Sequence, residues 1–212
     1  MIKALLLIFD PTATWEGIFR TRRSMVSILL VYLLPMLLLV ALAEGYGLVH
    51  WGKWQGGEFG RIKKFPVSEA TIVTTSQFLL SLLVVFLGAK MVKSIGETFH
   101  GRHTYSQAFT AVVYGLSPFF LLRLLDAFSW SSDWAAWVPW TIGICLSVAV
   151  LYHGVPRMME PDPPHAFGLF LMSSLLLALV TGLVRFATAA YLSGKFSKLQ
   201  AIVSDLAARL PF

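Results

Sequence analysis

Phe78-Leu79-Leu80-Ser81-Leu82-Leu83-Val84-Val85-Phe86-Leu87 carries one hydroxyl and no charge, and it lies within a longer apolar run, Ile72–Val92. About 20 mostly apolar residues in a helix cross the hydrocarbon core of a bilayer, so this run reads as a membrane span. Four more runs have the same character: Met25–Ala43, Gln107–Ala127, Trp134–His153 and Phe167–Tyr191. The composition agrees. Of 212 residues, 57% are hydrophobic and 13% charged, against about 25% charged in soluble domains. An ordinary soluble enzyme, a disordered tail and a disulfide-stapled module are all excluded. The expectation is an all-α polytopic membrane bundle. Its parts are an N-terminal segment at 1–24, a five-helix membrane domain at 25–191 and a tail at 192–212.

The connectors refine this picture. Only Phe128–Asp133 separates the third and fourth runs, which predicts an antiparallel hairpin. Trp130, Trp134, Trp137 and Trp140 crowd that turn, where amphipathic rings favour the membrane–water interface. Glu44–Ala70 holds Gly45, Gly47, Gly52, Gly56, Gly57 and Gly60 with a basic second half, and it reads as a loop. Pro156–His165, with Pro161, Pro163 and Pro164, reads as extended chain. Before the first span, Asp10-Pro11 has the form of a helix N-cap followed by proline at the first helical position. Trp15, Ile18 and Phe19 then recur at helical spacing, predicting a short interfacial helix. Ala41-Leu42-Ala43 matches a cleavage pattern, but the run before it is too long for a signal peptide and Pro35 interrupts it.

Seventeen Lys and Arg against eleven Asp and Glu give a net charge of +6. The bases flank apolar runs, as at Arg20, Arg22 and Arg23, where they meet anionic lipid headgroups; a nucleic-acid partner is not expected. With Arg20–Arg23 directly before the first span, the positive-inside rule puts the N-terminus in the cytoplasm and the C-terminus outside. Cys145 is the single cysteine, so no disulfide or cysteine cage forms within one chain.

Tyr114-Gly115-Leu116-Ser117-Pro118 in the third span, Tyr152-His153-Gly154-Val155-Pro156 after the fourth, and Asp10-Pro11-Thr12-Ala13-Thr14-Trp15 together resemble the bacterial branch of the Yip family. These are five-span membrane proteins, the Ypt/Rab-interacting proteins. The resemblance singles out Pro11, Trp15, Tyr114, Gly115, Pro118, Tyr152, Gly154 and Pro156. Together with the interfacial helix and the absence of catalytic motifs, it points to a non-enzymatic adaptor or membrane-organising role with an unidentified protein partner, and the small, tail-less form points to a bacterial inner membrane. Eukaryotic members are associated with Rab GTPases and vesicle traffic. This chain lacks their Asp-Leu-Tyr-Gly-Pro signature and long polar N-terminal region, which removes the basis for carrying over a Rab partner.

Ionisable groups within spans are costly and suggest function by default. Arg123 and Asp126, three apart, can share a helix face and pair. Arg185 has no acid nearby on its own helix, so it pairs across helices with Asp126, meets a phosphate, or snorkels to the interface. These three residues would serve the alternative function, a small-solute or lipid transporter or scramblase with helices kinked at Pro35, Pro118 and Pro139. Glu97, His100 and His103 recur at three-residue spacing, but no second cluster completes a metal site. Without Gly-x-Ser-x-Gly, a Walker loop or His-Glu-x-x-His, no catalytic residue, metal or cofactor is expected. Ala111/Gly115, Gly143/Ser147 and Ala178/Gly182 are small residues four apart, predicting helix-packing seams.

Overall fold

The computed structural model describes residues 2–55, 61–99, 103–128 and 137–208. Two short helices, α1 (Ile2–Phe9) and α2 (Pro11–Thr21), precede the first span. That span, Met25–His50, is built from α3 (Met25–Ile28), a π-helical turn (Leu29–Leu33) and α4 (Leu34–His50). A two-stranded antiparallel hairpin follows, β1 (Lys53–Gln55) on β2 (Arg61–Lys63), with Trp54 opposite Ile62. The second span is α5 (Val67–Thr98). The third joins α6 (Tyr105–Gly115) and α7 (Ser117–Arg123) to a 3-10 turn at Leu124–Ala127. α8 (Trp137–Met159), α9 (Ala166–Leu192) and α10 (Ser197–Ala208) complete the chain. Among the described residues five helical segments are long and apolar enough to cross a membrane, so the chain is an integral membrane protein with an all-α polytopic bundle.

The third span is the most buried of the five and forms the centre of the bundle. α6 lies against α5 and α8, and α7 lies against α8 and α4. Phe109, Val112, Val113, Tyr114 and Phe120 fill the core from it. Leu79, Leu83, Leu175, Leu179 and Leu183 on the neighbouring spans face outward, which suits hydrocarbon rather than water. Pro118 breaks the third span. It has no N–H to give the Tyr114 carbonyl, and the helix restarts after Leu116. At the buried start of α7 a donor freed by the break is satisfied from a neighbouring helix, with the Phe119 N–H donating to Ser147 Oγ at 3.2 Å.

Two expectations are corrected. Glu44–Ala70 is not a loop throughout: α4 runs on to His50, and α5 begins at Val67. Gly45 and Gly47 sit within α4, where neighbours come close; a Cβ on Gly47 would overlap the Asp126 carbonyl oxygen and lie 3.3 Å from its carbon. Pro156–His165 is not extended throughout either. α8 carries Pro156 inside it and ends at Met159, and Pro163–His165 is a 3-10 turn. Pro156 falls in the last turn, where little ladder remains to be broken. The turn with Trp130 and Trp134 lies outside the described residues, as does His100. Gly47→Ala is expected to lower stability by about 1–3 kcal/mol, the range for overpacking against atoms that cannot yield. Helix loss in a denaturing-detergent titration measures it, and an unchanged midpoint would contradict the close approach.

The pre-span segment is tied to the bundle. Asp10 caps α2, its Oδ1 accepting from the Ala13 N–H at 3.1 Å. The apolar face, Trp15 and Ile18, is buried against the core, and α2 lies on α8.

Candidate functional site

The intramembrane charges form a layer near the face where α4 ends, α5 begins and α9 ends. Glu44 lies on the buried stripe of α4 with Leu37, Val40 and Leu48 and is 2% exposed. Arg123, at the C-terminus of α7, reaches it: Nη2 donates to Glu44 Oε2 at 3.0 Å, and Nη1 donates to Ser81 Oγ of α5 at 2.9 Å. A cation there also complements the negative end of the α7 dipole. Three residues after Arg123, Asp126 has its own partner: Arg185 Nη1 of α9 lies 3.5 Å from Asp126 Oδ2, and the guanidinium carbon of Arg185 is 5.8 Å from the Trp137 ring centre. Gln77 of α5 donates to Thr188 Oγ1 of α9 at 2.6 Å.

Arg123 and Asp126 therefore do not pair with each other. Two cross-helix pairs satisfy four buried charges, whereas an Arg123–Asp126 pair would strand Glu44 and Arg185 in a medium where an uncompensated charge is very costly. Between the pairs is a cavity of about 30 Å³, lined by Gln77, Ser81, Arg123, Thr181, Arg185 and Thr188 among others. That is room for about one or two waters. The layer can hold four spans in register and polarise a trapped water. Among the described residues it places no nucleophile beside a base, and no group of three His, Cys, Asp or Glu stands together for a metal.

The motif positions converge at the other end of the bundle. The Trp15 ring lies over Gly154, where a Cβ would overlap it. Its Nε1 donates to the Val150 carbonyl at 3.0 Å, and its ring meets Tyr114 edge-on at 6.2 Å. Tyr114 in turn lies 4.5 Å from Tyr32, whose hydroxyl is 2.7 Å from Ser117 Oγ. Gly115 admits Leu151, and Pro11 starts α2. Pro118 restarts the third span, and Pro156 sits one residue before Arg157, whose Nη1 donates to the Thr12 carbonyl at 2.8 Å. Tyr152 alone is exposed, edge-on to Phe170 at 5.2 Å.

Sequence reasoning missed Glu44, Ser81 and Gln77. For Glu44 a signal existed: it falls at helical spacing from Leu37 and Val40, an acid on an apolar stripe. Over residues 5–185 the chain matches the family described as the Yip1 domain. No curated protein and no solved structure matches it.

Proposed function

Because the chain belongs to the Yip1 domain family, we propose that it is a non-enzymatic adaptor or membrane-organising protein of a bacterial inner membrane, holding a protein partner and anionic lipid. The observation carrying this reading is the state of the buried layer. Glu44, Arg123, Asp126 and Arg185 are engaged with one another, and the space between them is about 30 Å³. Ligand sites for small molecules run to about 300–1,000 Å³, so a solute path through this layer would require the pairs to part. The cluster Arg20, Arg22 and Arg23, directly before the first span, supports a cytoplasmic N-terminus.

The test is crosslinking in native membranes with a membrane-impermeant amine reagent, followed by mass spectrometry. Inverted vesicles are expected to give crosslinks from Lys3 and Lys93 to a near-stoichiometric protein partner. Purified protein in liposomes is expected to leave lipid scrambling and solute flux at the background rate. Scrambling or flux by the protein alone, abolished by Arg185→Gln, would replace this reading with the transporter or scramblase.

A further inference from the structure

A second polar locus lies at the opposite end of the bundle from the charged layer. α2 ends at Thr21, and the chain enters the first span through Arg22, Arg23 and Ser24. Arg22 holds φ at 39°, left-handed backbone that side chains rarely adopt. Between this turn, α1 and the first turns of α6 is a cavity of about 320 Å³. Lys3, Arg22 and Arg23 line it, Thr104, Ser106 and Gln107 add hydroxyl and amide groups, and Ile28 and Tyr114 lie deeper.

Its charge is one-sided. No carboxylate is among the described lining residues, and none of Lys3, Arg22 and Arg23 makes an ion pair with a described residue. By contrast Arg20, Lys63, Lys93, Arg123 and Arg185 each have an acid. Three cations gathered in one concavity repel one another unless an anion joins them. Burial, and then the Arg23 charge, hold the Lys3 amine below its ordinary pKa, the mark of a group short of a counter-charge.

We infer that this cavity is a phosphate-binding site, taking the headgroup phosphate of an anionic lipid or a free phosphate anion. Arginine forks and a lysine are the donors suited to phosphate oxygens, and the Ser106 hydroxyl beside them adds a further donor. The depth distinguishes the sources. Thr104 to Tyr114 is ten residues, about 15 Å of helix at about 1.5 Å per residue, so the cavity extends from a polar mouth to an apolar floor. That gradient matches a phosphodiester followed by acyl chains. The site deepens the anionic-lipid part of the proposed function and rests on it, but it needs no protein partner; a transporter of this fold would carry it equally.

The test uses the full chain in two formats. In nanodiscs of phosphatidylcholine with phosphatidylglycerol, native mass spectrometry is expected to find one retained phosphatidylglycerol. Arg23→Gln and Arg22→Gly are each expected to lower that retention about tenfold, the loss of one charge-assisted hydrogen bond. Arg20→Gln, outside the cavity, is expected to leave it unchanged. Arg22→Gly suits the left-handed backbone, so it folds at least as stably as the parent and its loss of lipid is not misfolding. In the second format, acylation of Lys3 in the unmodified chain is followed in phosphatidylcholine liposomes, with phosphatidylglycerol or with inorganic phosphate added. Phosphatidylcholine carries its own cation and competes weakly. Shielding of Lys3 by phosphatidylglycerol alone assigns the lipid; shielding by inorganic phosphate alone assigns the free anion. Shielding by neither, or lipid retention untouched by both cavity variants, would overturn the site.

Discussion

Glu44→Leu alone is expected to cost the bundle about 3–5 kcal/mol, while Glu44→Leu with Arg123→Met recovers most of that loss. The asymmetry follows from where the pair sits. Arg123 and Glu44 are 11% and 3% exposed at the side chain, enclosed by α4, α5 and α7. Removing the acid leaves a guanidinium with only the Ser81 hydroxyl and its 5.9 Å position over the Phe119 ring. Breaking a buried pair by removing one partner costs about 3–5 kcal/mol, but exchanging both partners for apolar groups of similar volume is often neutral or stabilising. Denaturing-detergent titration of helix content on the two single variants and the double variant completes the cycle. A cost below about 1 kcal/mol for Glu44→Leu, the range of exposed pairs, would mean that Arg123 escapes to the interface and the layer does not hold the spans. The Asp126–Arg185 contact is longer, at 3.5 Å, and is expected to give a smaller coupling.

That layer also marks the limit of what one sequence discloses. The spans were legible because each buries or presents to lipid a run of apolar residues, a property of consecutive letters. Asp10-Pro11 was legible as a cap for the same reason, since the Oδ1–Ala13 bond spans three residues. Glu44 was hidden because glycines on either side of Tyr46 suggested a loop; in the fold Gly47 is there to let α4 meet the 3-10 turn at Asp126. Asp126 was within reach as the partner of Arg185, 59 residues away, because Arg185 has no acid on its own helix, but the partners of Arg123 lie 42 and 79 residues away. Helical spacing finds only neighbours three and four apart on one helix, so it offered Asp126 to Arg123 and could not offer Glu44. The basic cavity is half visible in the sequence: Arg20–Arg23 reads as a headgroup-facing cluster, but Lys3 joins Arg22 and Arg23 only through the fold, and Arg20 turns aside to Glu16.

Trp15, Tyr114 and Gly154, scattered in sequence, meet in one cluster around the Trp15 ring, and the second large effect is expected there. Trp15→Ala removes a fully buried indole, a loss of about 3–5 kcal/mol for a core aromatic, together with its hydrogen bond to Val150. Gly154→Leu removes nothing and is expected to act the same way, because its side chain takes the volume the ring occupies. The damage should be local. α1 and α2 are joined to the spans by Trp15, Ile18, Ala4 and Leu7 and by the Arg157–Thr12 bond, whereas the spans hold one another through α5, α6, α8 and α9. Trypsin should therefore cut faster at Arg20, Arg22 and Arg23, through opening of the N-terminal pair, while the helix content of the spans stays at the parental value. Trp15→Phe keeps most of the ring volume and loses the N–H donor, so it should fall between the parent and Trp15→Ala. Unchanged trypsin cutting in both Trp15→Ala and Gly154→Leu would show that α2 is not docked through this contact. Because Arg22 and Arg23 follow directly from α2, undocking also disperses the cations of the basic cavity. Phosphatidylglycerol retention should then fall in Gly154→Leu, a variant that touches no cavity residue.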